Sequence, residues 1–221
     1  MASQIAHIVY AKKYFESIEN GNGNPDFLDE TKIKYSSKIN KDEFFLGVTF
    51  PDIRLIESSI KRRETHLRFE PLNLDFSGLT SFEAGWKFHL YCDMRREEIL
   101  NEHGFYKLEK TTEFSGRPAK FLEDILLYDT YNNWEKMANY FRNPPLVKLD
   151  INADRQTFVL WYAILAKYIE EKITLKSISV ILSKLPKLAK EARGIVDLAG
   201  DLQKNDKVVK KLLIVKDEII K

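Results

Sequence analysis

The feature that most constrains the fold is a helical segment between residues 80 and 103. Thr80 and Glu83 have the spacing of a capping box, which begins a helix, and Gly104 is placed to end it. Large apolar residues recur along one face, so the sequence predicts a long helix packed against a core. The predicted inward stripe consists of Phe82, Gly85, Trp86, Phe88, His89, Cys92, Asp93 and Leu100.

Two ionisable residues, His89 and Asp93, therefore interrupt an apolar stripe. They are four residues apart, so both side chains project from one side of the helix, about 5–6 Å from each other. Burying an imidazole and a carboxylate is costly unless the two groups pair or bind a metal. The pair by itself favours a buried His–Asp hydrogen bond over a metal site, and both interpretations stay open at this point.

The rest of the chain also predicts helices. Ser3 can cap a first helix that runs to about Ile18. Pro51 disfavours helix at the residue before it, so Asp52 is expected on a turn. Long loops are expected over residues 57–79 and 105–117. Further helices are expected over residues 25–39, 41–48, 118–143 and 153–171, followed by a Lys-rich amphipathic tail over 174–221 punctuated by Pro186, Gly194 and Gly200.

The length and composition fit a globular protein with one large domain, or one domain with an appendage, and the helical pattern predicts an all-α fold. The chain has 221 residues, of which 44% are apolar, and this is enough to bury a core. We expect a helical domain over residues 1–143 and a C-terminal helical extension over 144–221 that packs on it. The formal net charge of +2 gives no general argument for nucleic acid or for a membrane surface.

The expected location is the cytoplasm. Cys92 is the single cysteine, so no intrachain disulfide can form, which agrees with a reducing compartment. The first residues lack the pattern of a signal peptide. No run approaches 18 uninterrupted apolar residues, so no transmembrane helix is expected.

Candidate metal ligands occur in a fixed order along the first hundred residues: His7, Asp52, His66, His89 and Asp93. This order resembles the zinc-dependent phospholipase C family and its nuclease relatives, in which an early helical His, an Asp, a His about fourteen residues later and a helical His-x-x-x-Asp bind metal. The segment that begins at Gly47 also resembles the Gly-x-x-x-Pro-Asp-Ile segment of uncharacterised bacterial members. The resemblance covers roughly residues 1–100.

The resemblance implies a multi-helix bundle of the phospholipase C/P1 nuclease-like type with additional C-terminal helices. Asp52, His66, His89 and Asp93 would surround one metal, and His7 would help to hold a second, bridged by Asp93. Zinc is the expected ion, with manganese or iron as alternatives. The family's downstream His and His-x-x-x-Glu are missing after His103, so the resemblance implies one complete site and one partial site.

Other charged residues are candidates for catalysis or binding. Glu97 lies four residues after Asp93 and could be a base or an extra ligand, and Arg96 could clamp a phosphate. His103 is expected to interact with the carboxyl end of its helix rather than with metal. Two groups are expected to be mainly solvated: the arginines Arg54, Arg62, Arg63 and Arg68, and the acidic residues Glu123 and Asp124, which could otherwise replace a missing ligand.

The function that the resemblance implies is hydrolysis of a phosphoester, either a phosphodiester or a phospholipid-type substrate, by a metal-activated water. A small phosphoester or a lipid headgroup would be the partner. The alternative is a non-catalytic helical interaction module held together by a structural metal or a polar network. A phosphohydrolase of the HD superfamily is disfavoured, because that family needs adjacent His and Asp, and this dipeptide does not occur in the sequence.

Overall fold

The computed structural model describes residues 3–20, 39–145, 147, 151 and 153–220. These residues form helices and contain no β-strand, which confirms the all-α prediction. The predicted helix over 25–39 lies outside the described residues, except for Ile39. In chain order the α-helices are α1 (Gln4–Glu19), α2 (Lys41–Thr49), α3 (Arg62–Thr65), α4 (Ser81–Glu102), α5 (Arg117–Leu127), α6 (Trp134–Arg142), α7 (Arg155–Ile169), α8 (Leu175–Lys184), α9 (Ala192–Gln203) and α10 (Asp206–Glu218).

The helix α4 begins and ends where the sequence predicts. The Thr80 hydroxyl accepts a hydrogen bond from the Glu83 amide at 3.2 Å, and the Glu83 carboxylate accepts one from the Thr80 amide at 2.8 Å. Gly104 follows the helix with a φ of +64°, a left-handed conformation that glycine adopts without strain. Local chemistry therefore determines both ends of this helix.

The prediction of one helix over 118–143 is wrong. The segment forms α5, a 3₁₀ turn over Tyr128–Thr130, and then α6. Tyr131 has an extended backbone, with φ −121° and ψ 139°, and the Trp134 indole donates to the Tyr128 carbonyl at 2.9 Å. The same carbonyl also accepts a hydrogen bond from the Tyr131 amide at 3.3 Å, so a backbone bond and a side-chain bond together close the turn between α5 and α6.

The C-terminal tail forms three helices, α8 to α10. Of the three residues predicted to interrupt helices there, only one lies between two helices. Pro186 falls in the connection between α8 and α9. Gly194 and Gly200 lie inside α9, so the prediction that they interrupt helices is wrong.

Helices α2 and α4 cross with their backbones in contact. A Cβ atom at Gly47 would lie 1.9 Å from the Phe82 carbonyl oxygen, and one at Gly85 would lie 2.0 Å from that of Phe44. Any side chain at either position would separate the helices. The two glycines therefore allow α2 to pack directly against the first two turns of α4.

A continuous hydrophobic core joins the N-terminal and C-terminal helices. Two buried aromatic side chains of α7 hold α2, since the Trp161 indole donates to the Thr49 carbonyl at 3.0 Å and the Tyr162 hydroxyl to that of Leu46 at 2.6 Å. Helix α9 packs on α5, and α10 contacts α4 and α5. Among the described residues, no helix combines the length and the apolar character that a membrane crossing requires.

Candidate metal centre

The five predicted ligands converge on one buried cluster. His7 comes from α1, Asp52 from a 3₁₀ turn over Phe50–Leu55, and His66 from the residue after α3, while His89 and Asp93 come from α4. Their ligand atoms form two groups that share His89, and within each group all ligand atoms lie within 4.8 Å of one another. One group is His7, His89 and Asp93, and the other is Asp52, His66 and His89.

The distances within the cluster are equal to or slightly longer than the edges of a coordination sphere. The His66 Nε2 atom lies 3.4 Å from His89 Nε2 and 3.8 Å from Asp93 Oδ2. His89 Nε2 lies 3.7 Å from the same Asp93 oxygen, and His66 Nε2 lies 3.6 Å from Asp52 Oδ1. Bonds of about 2.0–2.2 Å to a tetrahedral ion place neighbouring ligand atoms about 3.3–3.6 Å apart. These contacts are therefore long for hydrogen bonds but suitable for shared coordination of an ion.

Backbone carbonyls orient two of the three imidazole rings. His89 Nδ1 lies 2.8 Å from the Val48 carbonyl oxygen, and His7 Nδ1 lies 2.8 Å from that of Ser3. Because a carbonyl oxygen can only accept, each Nδ1 carries the ring proton, and in a neutral ring Nε2 then presents a lone pair to the cluster. This is the arrangement in which histidines bind metal ions.

Asp52 is held in place by residues around the cluster. The Gln4 side-chain amide donates to Asp52 Oδ2 at 2.8 Å, and Arg54 Nη2 donates to Oδ1 at 3.2 Å. Burial tends to raise the pKa of Asp52, but the positive charge of Arg54 lowers it below its ordinary value. The carboxylate is therefore ionised and fixed in direction.

The candidate ligands combine ionised carboxylates with neutral imidazoles. Burial lowers the pKa of His66 to about 4 and that of His89 well below its ordinary value, so both imidazoles are neutral at pH 7. Burial opposes the ionisation of Asp93, but its electrostatic surroundings lower its pKa well below the usual range. Two carboxylates and the lone pairs of neutral imidazoles thus face one another, and a divalent cation would stabilise this arrangement.

One side of the cluster opens to a cavity of about 80 Å³ that His66 and Asp93 line. Glu97 lines the same cavity and accepts a hydrogen bond from the Tyr106 hydroxyl at 3.1 Å. Arg62 and Arg68 also line it, both with exposed side chains, as expected for solvated arginines. The cavity therefore adjoins two of the five candidate ligands.

Arg96 lies elsewhere, which argues against the predicted phosphate clamp at the metal. The side chain is 2% exposed and does not line the cavity beside His66 and Asp93. Its Nε donates to Glu123 Oε2 at 2.8 Å, and Glu123 also accepts a hydrogen bond from the Tyr10 hydroxyl. Arg96 lies on the stripe of Cys92 and Leu100, and this stripe faces Glu123 of α5.

The expectation that Glu123 and Asp124 are surface residues is wrong, since both are fully buried. Asp124 accepts hydrogen bonds from the Ala6 amide at 3.0 Å and from the Ser3 hydroxyl. Asp124 therefore accepts a hydrogen bond from a free amide in the first turn of α1. The sequence predicts this capping role for Ser3, but the Ser3 hydroxyl makes no capping bond. Neither acidic residue belongs to the candidate ligand groups.

The burial of Glu123 and Arg96 could have been predicted from their spacing in the sequence. Ala119, Glu123 and Leu127 are spaced by four residues, as are Cys92, Arg96 and Leu100. Each charged residue thus lies on an apolar helical stripe, which is the argument that identified His89 and Asp93.

His103 is the fourth histidine and lies outside the cluster. It occupies the C-terminal cap of α4, and its Nε2 lies 3.1 Å from Glu218 Oε2 in α10. Its side chain is about one-third exposed, at 33%. His103 therefore provides a matched control for substitutions of the buried histidines.

Comparisons with protein-family models, with curated proteins and with solved structures find no match for this chain. The resemblance to the phospholipase C family therefore rests on the residues and the order given above. The geometry of the cluster supports the binding of a metal ion.

Proposed function

We propose that this protein is a metal-dependent phosphoester hydrolase. Asp52, His66, His89 and Asp93 would hold one divalent ion, and His7 would contribute to a second ion together with Asp93. The observation that carries the proposal is that His66 Nε2 lies 3.4–3.8 Å from ligand atoms of Asp52, His89 and Asp93, beside a cavity that His66 and Asp93 line. A site with access from one side fits catalysis better than a closed structural site does.

The donor set fits zinc, with manganese or iron as alternatives. Two imidazole nitrogens and two carboxylate oxygens are ligands that all three ions accept. When bound, such an ion supplies Lewis acidity toward a water molecule and toward a phosphoryl oxygen. The buried hydrogen bonds to His89 and Asp52 would keep the ligands in position without the reorganisation that a flexible site requires.

The residues around the cavity would position the substrate and accept a proton. Arg62 and Arg68 place positive charge at the rim, where it would attract an anionic phosphoryl group. Glu97 lines the same cavity and would accept a proton from the attacking water. The hydrogen bond from Tyr106 would fix the direction of the Glu97 carboxylate.

A second cavity, which adjoins the cluster at Asp52, suggests a substrate with an apolar part. A mainly apolar cavity of about 100 Å³ is lined by Asp52, Trp161 and Leu165, with Lys120 and Arg117 also contributing. An apolar group can bind there while an anionic group interacts with the cations. The combination favours a phosphoester with an apolar leaving group over a fully polar one.

A panel of phosphomonoesters and phosphodiesters, tested on protein supplied with zinc or manganese, examines the proposal. We expect hydrolysis of at least one class. The variant Glu97→Gln should lower kcat by about 10²–10⁴-fold, the usual contribution of a general base, while metal content stays unchanged. The control His103→Gln should retain activity. Metal-loaded protein that hydrolyses no member of the panel would contradict the proposal.

A second function is favoured by the burial of the cluster. The candidate ligands His7 and His89 are fully buried, and the set joins α1, α4 and the connection between α2 and α4. A metal there would tie these elements together in a non-catalytic protein. Bound metal that raises the melting temperature, without hydrolysis of any phosphoester, would favour this alternative.

A further inference from the structure

A third cavity, of about 390 Å³, shares Glu97 with the cavity beside the candidate metal centre. Its walls carry two cationic side chains, Arg96 and Lys120, and hydroxyl groups that include those of Thr112 and Ser115. Glu97 is the one carboxylate of its lining, and the Tyr106 hydroxyl already donates to it. The cavity is therefore polar and lined by more cationic than anionic side chains.

Arg96 has an unused donor at this wall. Its Nε is bound to Glu123, but its Nη2 is buried and makes no hydrogen bond with any described residue. A guanidinium presents five N–H donors in a planar fork, and a buried donor without a partner is unfavourable. An acceptor bound in the adjacent cavity would satisfy it after a small adjustment of the side chain.

The first turn of α5 adds a smaller, independent contribution: the Arg117 amide donates to the Phe114 carbonyl and Pro118 has no N–H, so Ala119 carries the first amide that can face a ligand. Gly116 precedes the helix with a φ of +69°, no side chain caps the helix, and its first turn contains no acidic residue. Gly116, Ala119 and Lys120 all line the cavity. The amino end of a helix attracts anions because its first amides are unpaired and its dipole is positive there.

We infer that this cavity binds a phosphate-class oxyanion between Arg96, Lys120 and the first turn of α5. A tetrahedral oxyanion offers several acceptors at once, which matches donors that come from three directions. The ligand is either free phosphate or an anionic group of a larger substrate. The inference does not depend on metal at the neighbouring cluster, so the two proposals can fail separately.

Titration of metal-free protein with inorganic phosphate, followed by calorimetry or ³¹P NMR, tests the site. We expect saturable binding of one phosphate, with sulfate as a competitor. The variant Thr112→Glu places a negative charge at the cavity wall and should weaken binding about three- to tenfold, by Coulomb repulsion at several ångströms in a largely aqueous setting. Lys120→Gln should weaken binding to a similar degree.

The matched control is Gln156→Glu, which makes the same charge change at an exposed position of α7. Its phosphate affinity should stay within about twofold of the parent, because solvent screens distant charges. Absence of saturable binding, or equal weakening by Thr112→Glu and Gln156→Glu, would overturn the inference. Competition by phosphate against a hydrolysed phosphoester would identify the ligand as a substrate group, and binding without competition would identify it as a separate ion.

Discussion

Two buried carboxylates of this protein are stabilised in different ways. Asp52 accepts a hydrogen bond from the cationic Arg54, and its pKa is lowered. Asp124 accepts hydrogen bonds from neutral donors, among them the Ala6 amide and the Tyr168 hydroxyl at 2.8 Å. Burial outweighs these bonds and raises the pKa of Asp124 to about 7. The two side chains therefore make opposite contributions to stability as the pH changes.

The contribution of Asp124 to the stability of the protein should decrease with rising pH. In the unfolded chain an aspartate ionises near pH ~4, whereas in the folded protein Asp124 ionises at about 7. Its contribution is complete below about pH 4 and is lost as the pH rises through 7, with a slope of at most about 1.4 kcal/mol per pH unit. Asp124→Asn should flatten the dependence of the unfolding free energy between about pH 4 and 7. Parallel profiles in urea denaturation of parent and variant would contradict this prediction.

The buried pair of Arg96 and Glu123 should show strong coupling. Arg96→Met leaves a buried carboxylate without its cation, so we expect a loss of about 3–5 kcal/mol in unfolding free energy. The double variant Arg96→Met with Glu123→Gln should recover much of this loss, because Gln keeps an acceptor for the Tyr10 hydroxyl. Chemical denaturation of parent, both single variants and the double variant measures the coupling. Additive effects of the two substitutions would contradict it.

At the scale of helices, the position of the cluster depends on the crossing of α2 and α4. The His89 imidazole of α4 bonds to the Val48 carbonyl near the end of α2, and Asp52 follows in the next turn. Gly47 and Gly85 allow this approach. A change in the spacing of the two helices would therefore move the candidate ligands apart.

Gly85→Ala should destabilise the protein and weaken metal binding together. Its new methyl group would lie 2.0 Å from the Phe44 carbonyl oxygen, which belongs to backbone and cannot move alone. We expect a loss of at least about 2 kcal/mol, as for other overpacked sites. The control Gly200→Ala lies in α9 near the flexible end of Leu175, and it should be neutral or stabilise by up to about 1 kcal/mol. Equal melting temperatures of the two variants would contradict the role of the crossing.

The sequence predicts elements with local signals and misses those that depend on distant contacts. The capping box of Thr80 and Glu83 and the αL residue Gly104 are local, so the ends of α4 were predictable. The break after Leu127 depends on the bond from Trp134 to Tyr128, and the contact of Gly85 with α2 depends on tertiary packing. Propensity and periodicity alone carry neither piece of information.

The candidate site shows the same division. The candidate ligands were predictable from two signals. His89 and Asp93 interrupt an apolar stripe, and the order of histidines and aspartates along the chain indicates the other three residues. The supporting bond from Gln4 to Asp52 joins residues 48 positions apart, and no local pattern marks it. Arg96 pairs with Glu123 because the stripe of Ala119, Glu123 and Leu127 in α5 faces α4. The sequence contains both stripes, but it does not show that the two helices are neighbours.

At the scale of the whole molecule, the candidate ligands come from four segments between residues 7 and 93. The C-terminal helices α9 and α10 pack against α4 and α5. Metal binding should therefore be coupled to global stability. Removal of the ion with a chelator should lower the melting temperature, since a ligand that binds only the folded state stabilises it. Differential scanning calorimetry before and after chelation measures the shift, and restoration on adding zinc is the control. An unchanged melting temperature after removal of bound metal would contradict the coupling.

The central claim is that His7, Asp52, His66, His89 and Asp93 form a metal centre. The most direct measurement is elemental analysis of protein purified without a nickel column or a chelator, then supplied with zinc or manganese at neutral pH. We predict about one equivalent or more of a divalent metal in the parent, since a four-ligand site holds one ion. His89→Ala should lose it, whereas His103→Ala should retain it. Less than about a tenth of an equivalent in the parent, far below the occupancy of a specific site, would contradict the claim.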